Sequence, residues 1–103
     1  MRNEQTRQVQ AEGHEVVSRH DGLRRSATLE ASITEAVVHT FSTPVGVACL
    51  DYLRSITLNR VSPPGASDAE LRELEGQRRL VAGLISRINH DERDRRRHTA
   101  REN

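Results

Sequence analysis

The sequence predicts an all-α protein: a small three-helix domain with a long C-terminal helix, flanked by a polar N-terminal arm and a polar tail. Three segments place apolar residues every three or four positions, the spacing of one helix face. Strong helix breakers separate them, and no stretch alternates apolar and polar residues as a half-buried strand does. With 103 residues, 34% hydrophobic and 2% aromatic, the chain can form one small domain with a thin core. We therefore expect an arm over residues 1–25, a helical domain over residues 26–90 and a tail over residues 91–103.

The arm over residues 1–25 is rich in Gln, Glu, Arg, His and Gly and has few apolar side chains. Gly13 and Gly22 interrupt a thin stripe of valines, so any helix there is short. Segments of this composition bury too little apolar surface to order themselves. The arm is therefore predicted to be disordered or partly helical alone, and to be ordered by a partner.

The first two helices are predicted over residues 26–41 and 44–58, joined by a very tight turn. The apolar face of the first helix leads to Phe41, with Glu30 off that face. Pro44 disfavours helical geometry in the residue before it and suits the first position of a new helix, with Thr43 as its N-cap. Gly46 has no side chain, which lets another backbone approach. We expect a bent or antiparallel helix pair.

The third helix is predicted over residues 68–90, after a linker that contains Ser62-Pro63-Pro64-Gly65. Ser67 and Glu70 form a capping-box pattern at its start. The Arg-rich tail over residues 91–103 can extend it as a solvated helix. The i,i+4 pairs that would support this extension are Asp91 with Arg95 and Glu92 with Arg96.

The apolar faces predict one small core. Its expected members are Leu29, Ile33, Val37, Phe41, Cys49, Leu53, Ile56, Leu74, Val81 and Ile85. In the second helix, Val45 and Tyr52 are expected to share the inward face of Cys49. This leaves a stripe on the third helix for a neighbouring molecule.

The third helix also contains two residues that its apolar pattern does not explain. Gly76 costs a helix about 1 kcal/mol relative to Ala, and Arg78 places a charge at an apolar position. Both indicate a close helix contact in which Arg78 pairs with a carboxylate, such as Asp51, or with a backbone end. The expected subunit or partner interface consists of Gly76, Arg78, Leu80, Leu84 and Ile88.

The residue types speak against catalytic and metal chemistry. Cys49 is the only cysteine, so there is no disulfide framework and no Cys-based zinc site. The five histidines lack the i,i+4 spacing of a helical zinc site, and there is no Gly-rich phosphate loop. We expect no enzyme activity, metal or cofactor. No signal peptide or membrane span is predicted, which indicates synthesis in the cytoplasm.

Charge is balanced along the chain. Sixteen basic residues, all Arg, stand against fifteen acidic ones, giving +1. This balance is unlike that of a nucleic-acid coat protein. The lack of Lys most simply reflects a GC-rich genome, and the physical alternative is that Arg binds carboxylates and phosphates bidentately. Arg95, Arg96 and Arg97 are candidate phosphate contacts; the alternative is a solvated helix end that complements the helix dipole.

Two short motifs lie on either side of the Pro/Gly linker. The first is Phe41-Ser42-Thr43-Pro44-Val45-Gly46, followed by Leu50 and Leu53; the second is Gly76-Gln77-Arg78-Arg79-Leu80-Val81 with Ile85. Together they resemble a family of small tailed-phage proteins encoded beside the portal and head genes of podovirus-like phages, as in a Bordetella phage. The resemblance covers about residues 37–90, and no counterpart is expected for the arm or the tail.

This resemblance implies a virion structural or accessory protein at the portal, the internal core or the head-to-tail connector. Its partners would be other phage structural proteins, and its thin core fits a homo-oligomeric ring in which neighbours complete the packing. Non-specific DNA contact is compatible with this role. One alternative is a DNA-packaging factor or small DNA-binding regulator, with the Thr43-Pro44 turn as a helix-turn-helix. A second is an assembly chaperone or scaffold that leaves before maturation.

Overall fold

The computed structural model describes residues 13–102. Within these residues, Gly13 and His14 are helical and are followed by a short hairpin and three longer helices, which confirms the all-α class. The elements are β1 (Val16–Ser18), β2 (Arg24–Ser26), α1 (Ala27–Phe41), α2 (Pro44–Ile56) and α3 (Asp68–Glu102). Residues 1–12 of the predicted arm lie outside the described residues. The molecule is elongated, with extents of 66 × 34 × 21 Å.

The hairpin corrects the expectation that the arm contains no strand. β1 and β2 pair antiparallel, with Val17 opposite Arg25. Between them, His20 at φ 49° and Gly22 at φ 78° adopt left-handed backbone conformations that reverse the chain. Strands of three residues are too short to show an alternating pattern, so the sequence pattern did not indicate them. Part of the arm is therefore ordered by its own chain.

The turn between α1 and α2 forms as its residues predict. Ser26 caps α1 by accepting a hydrogen bond from the Leu29 amide at 3.2 Å. Thr43 caps α2 by accepting from the Gly46 amide at 3.0 Å, and Pro44 occupies the first helical position. The two helices meet at 98°, which confirms the predicted bent pair.

Gly46 is the point of closest approach between α1 and α2. A Cβ atom at this position would lie 1.9 Å from the carbonyl oxygen of Thr40. This contact fixes the rotation of α2, so that Gly46, Leu50 and Thr57 are buried. The predicted inward face, which contained Cys49 and Ile56, is therefore wrong by about one residue of helical rotation.

The linker and α3 follow the predicted order, but α3 is longer than residues 68–90. Gly65 has φ 87° in the linker. Ser67 accepts a hydrogen bond from the Glu70 amide and donates one to the Glu70 carboxylate, both at 3.2 Å. The helix runs 35 residues and includes the described tail, about 52 Å at 1.5 Å per residue. The predicted Asp91–Arg95 ion pair forms at 2.9 Å.

The apolar core is thinner than expected. Leu50, Leu74 and Val81 are its fully buried apolar side chains among the described residues, and α1 packs against both α2 and α3. Several residues expected in the core are exposed: Leu29, Cys49 and Ile56. Among residues 13–102, no single helix is long and apolar enough to cross a membrane, although the bent α1–α2 pair passes by length and composition.

Candidate interaction surfaces

Four charged side chains from the hairpin, α1 and α3 meet in one ionic cluster: Asp21, Arg25, Glu30 and Arg87. Glu30 and Arg87 are 2% and 4% exposed, and their side chains lie 2.5 Å apart. Arg25 donates to the second Glu30 oxygen at 3.1 Å and to Asp21 at 2.7 Å. Arg87 also lies 3.3 Å from Asp21. Two carboxylates thus balance two guanidinium groups, so the buried charges compensate one another.

The ionic cluster and its neighbours hold the hairpin against α3. Nδ1 of His20 lies 2.7 Å from the Ser86 hydroxyl, and Arg87 donates to the Thr34 hydroxyl at 3.0 Å. Two of the three apolar side chains of the hairpin contribute little to this attachment, since Val16 and Leu23 are 53% and 60% exposed, whereas Val17 is half-buried. Polar contacts therefore attach this part of the chain to the helices.

The surroundings of the ionic cluster lower the pKa values of Asp21, Glu30 and the neighbouring His20. Hydrogen bonds from the Arg25 guanidinium and the Leu23 amide hold the pKa of Asp21 well below its usual range. Burial raises the pKa of Glu30, but the hydrogen bonds and charges of Arg87 and Arg25 outweigh it and lower the pKa overall. Burial and the nearby Arg87 charge lower the pKa of His20. All three groups therefore resist protonation in the folded chain.

We expect acid to destabilise the fold in two stages. As the pH falls, the unfolded chain binds a proton on His20 below its ordinary pKa of 6.5, and on Glu30 and Asp21 below their ordinary pKa values of 4.5 and 3.8. The folded chain binds these protons only at a lower pH, because folding lowers all three pKa values. The free energy of unfolding should therefore be greatest above pH 6.5, fall as pH drops through 6 and fall again below about pH 4.5. Urea titrations at a series of pH values measure this.

Two histidine variants separate the stages of this acid response. His20→Gln should remove the first stage and keep the second, whereas His39→Gln, at an exposed position of α1, should keep both. A free energy of unfolding that stays constant from pH 7 to pH 3 would contradict the importance of the cluster.

Sequence reasoning missed the ionic cluster. Glu30 was placed off the apolar face of α1, yet it precedes Ile33 by three residues and Val37 by seven, which is the spacing of one helix face. That spacing was the available signal. The partner could not be read in the same way, because Arg87 is 57 residues away along the chain.

The rotation of α2 leaves a row of apolar side chains in solvent. Val45, Cys49, Tyr52 and Ile56 occupy positions i, i+4, i+7 and i+11, and we call them the α2 stripe. Val45 is 81% exposed and Tyr52 61%. Ile56 is 40% exposed, and Cys49 is also exposed. Four of the five α2 residues predicted to face the core thus form an exposed apolar surface on one flank of the helix, whereas the fifth, Leu53, is half-buried.

The predicted interface residues on α3 lie in different environments. Gly76 has open space where a Cβ would point, and Leu80 is 71% exposed. Leu84 and Ile88 are half-buried. Arg78 is engaged within the chain: it donates to the carbonyl oxygens of Thr57 and Arg60 at 2.9 and 2.5 Å.

Arg78 therefore pairs with a backbone end, as one of the two predicted alternatives held, and its carboxylate contact is with Glu75 at 3.9 Å, not with Asp51. The carbonyls that it contacts follow the last turn of α2, where unsatisfied backbone oxygens attract cations. The assignment of these five α3 residues to an interface stays a prediction.

The structure offers no metal centre in the part of the chain that it describes. No group of three or more His, Cys, Asp or Glu side chains within residues 13–102 is placed to hold a metal ion. The rings of His20 and His90 lie 5.6 Å apart in an edge-to-face arrangement. His90 also contacts Asp94 at 3.3 Å. The contact between the two rings connects the hairpin with α3.

Comparison with known proteins identifies the family. A family model described as Bbp19-like phage protein matches residues 38–101, more than half of the chain. The chain belongs to the Bbp19-like phage protein family. It is therefore a phage protein, as the two motifs indicated. No curated protein and no solved structure matches the chain.

The family match reaches further towards the C-terminus than the resemblance based on the two motifs, which covered about residues 37–90. It begins within α1 and includes α2, the linker and α3 as far as residue 101. The expectation that the Arg-rich tail has no counterpart in the family is therefore wrong. The α2 stripe lies inside the match, whereas the hairpin lies outside it. Arg87 is the only member of the ionic cluster inside the match.

Proposed function

We propose that this Bbp19-like protein is a structural component of the phage particle, not an enzyme. It assembles as a ring at the portal, the internal core or the head-to-tail connector. The observation that carries this proposal is the α2 stripe. Four apolar side chains stand in a row on a chain whose described residues bury only Leu50, Leu74 and Val81 as apolar core. Contiguous exposed apolar side chains mark surfaces that associate with other proteins.

The chemistry of the α2 stripe suits a protein partner. Tyr52 supplies a large amphipathic ring of the kind enriched at interface centres. Val45 and Ile56 add aliphatic surface on either side of it. A neighbour that covered these side chains would add burial that the thin core lacks and so stabilise the folded chain further.

Ring closure requires a second surface on the same chain. A self-complementary surface pairs with its own copy to give a two-fold dimer. A surface that pairs with a different surface of its neighbour gives a ring when the rotation closes. The exposed part of α3 around Gly76 and Leu80 supplies such a different surface. The proposed ring contact is therefore the α2 stripe of one subunit against Gly76 and Leu80 of the next.

A DNA-binding regulator or packaging factor is the second candidate, because the 98° angle between α1 and α2 resembles a helix-turn-helix. The exposed side chains of α2 speak against it. None of them is Arg, Asn or Gln, the residues that read bases bidentately. Arg54 is half-buried. The apolar character of α2 favours protein contact over base readout.

The assembly proposal is tested by a matched pair of valine variants. Val45→Glu places a charge in the α2 stripe, whereas Val47→Glu places the same charge about 160° around the same helix turn. Both residues are exposed. Val45→Glu should abolish self-association in solution and incorporation into particles, and Val47→Glu should leave both close to wild type. Light scattering gives the solution mass, and mass spectrometry of purified particles gives the copy number.

Two results would count against the proposal. Incorporation of Val45→Glu at the wild-type copy number would show that the α2 stripe is not the assembly surface. A chain present in precursor particles and absent from mature ones would favour the chaperone or scaffold alternative. Circular dichroism of both variants should match wild type, so that lost assembly is not confused with lost folding.

A further inference from the structure

The described end of α3 separates its arginines onto different sides of the helix. Arg93, Arg96 and Arg97 occupy positions i, i+3 and i+4, within about 100° of helix circumference; we call them the arginine face. Arg95 points about 160° away from Arg93. The side chains at positions 92–100 are all exposed.

The acidic residues of this segment do not neutralise the arginine face. Asp91 is paired with Arg95 at 2.9 Å, and Asp94 contacts His90 at 3.3 Å. Glu92 borders the face, but the predicted Glu92–Arg96 ion pair does not form among the described residues. Three guanidinium groups are thus left without a carboxylate partner in the described chain.

The arginine face lacks what a protein partner usually needs. The other residues on this side of the helix are Asn89 and Ala100, so the surface offers no large apolar or aromatic side chain. Protein interfaces are centred on such side chains. Contacts to a phosphate backbone need only charged donors, and the planar fork of Arg suits phosphate oxygens.

We propose that Arg93, Arg96 and Arg97 bind the phosphate backbone of duplex DNA without sequence preference. The proposal replaces Arg95 of the predicted phosphate triplet by Arg93, because Arg95 is held by Asp91 on another side of the helix. It does not depend on the α2 stripe or on ring assembly. The face has no apolar anchor, so binding is electrostatic and falls steeply with salt.

The test is fluorescence anisotropy of the full chain with a labelled 24-base-pair duplex of arbitrary sequence, repeated from 50 to 200 mM NaCl. The three arginines together contribute about 2.7 to the slope of log affinity against log salt. The triple variant Arg93→Gln, Arg96→Gln, Arg97→Gln should therefore lose that part of the slope and most of its affinity at 50 mM salt.

A matched pair of single variants separates the face from the net charge. Arg96→Gln and Arg95→Gln remove the same charge from adjacent positions. Arg96→Gln should weaken binding about tenfold at 50 mM salt and lower the slope by about 1. Arg95→Gln should leave both close to wild type. Circular dichroism checks that each variant remains helical.

Three results would overturn the assignment. The first is equal loss from Arg95→Gln and Arg96→Gln, which would mean that net charge alone matters. The second is the absence of measurable binding to duplex at 50 mM salt. The third is equal binding to polyglutamate and to duplex at the same charge concentration, which would point to an acidic protein surface. None of these depends on the copy number in particles, so this proposal and the proposed function can fail separately.

Discussion

Arg87→Met is expected to unfold most of the isolated chain at 25 °C. The substitution leaves Asp21 and Glu30 facing a single guanidinium group, that of Arg25, inside a site where Glu30 is 2% exposed. Removing one partner of a buried ion pair costs about 3 to 5 kcal/mol, because the remaining carboxylate stays desolvated and here Arg25 alone has to balance two negative charges. A core this small supplies only about 3 to 5 kcal/mol. The free energy of unfolding, measured by urea titration, should fall to near zero.

A double variant distinguishes lost charge balance from lost packing. Glu30→Leu combined with Arg87→Met removes one charge of each sign and leaves the Asp21–Arg25 pair intact. It should recover most of the stability that Arg87→Met loses, since well-packed apolar residues can replace a buried ion pair. Arg72→Met, at an exposed position of α3, should change the free energy of unfolding by less than about 0.5 kcal/mol. If Arg87→Met were as mild as Arg72→Met, the ionic cluster would not stabilise the fold.

Gly46→Ala is the second substitution with a large expected effect. The added methyl would lie 1.9 Å from the Thr40 carbonyl oxygen and 2.9 Å from the Phe41 Cα, both backbone atoms that no side-chain rotation can move. The α1–α2 angle would have to change, at a cost of about 3 kcal/mol. The free energy of unfolding should fall by this amount in a urea titration.

Gly76→Ala provides the matched control, because nothing lies within 4 Å of its added methyl. In an open helical position Ala is about 1 kcal/mol more favourable than Gly, so this variant should be more stable than wild type. The two Gly→Ala changes should thus have opposite signs. A stability gain from Gly46→Ala would show that α1 and α2 do not approach at this residue.

The local features of the fold could be predicted from the sequence because they depend on neighbouring residues. Thr43 with Pro44, and Ser67, start the second and third helices where their capping chemistry indicates. The long extension of α3 likewise rests on local contacts such as Asp91 with Arg95.

The rotation of α2 could not be predicted in this way. Apolar spacing favoured an inward face containing Cys49, but one backbone contact at Gly46 outweighs that pattern. The missing side chain of Gly46 indicated that another backbone can approach there. It did not indicate that this approach determines which face of α2 turns towards α1. The predicted core face thereby became the exposed α2 stripe.

The ionic cluster escaped prediction because its members are distant in sequence. Glu30 and Arg87 are 57 residues apart, and Asp21 and Arg87 are 66 apart. Taken alone, Asp21 and Arg87 look like ordinary solvated charges, and the spacing of Glu30 indicates its helix face but not its partner. Only the packing of α1 against α3 and the fold of the hairpin bring them together, and neither was indicated by local spacing.

The most direct test of a structural role in the phage is the copy number of the wild-type chain in purified mature particles. Quantitative mass spectrometry with isotope-labelled peptides should find a fixed number of copies per particle, several of them, in constant ratio to the portal subunit. This ratio should persist after the particles are washed in high salt, because the α2 stripe is an apolar contact. Absence of the chain from mature particles, or a copy number that varies between preparations, would contradict the account.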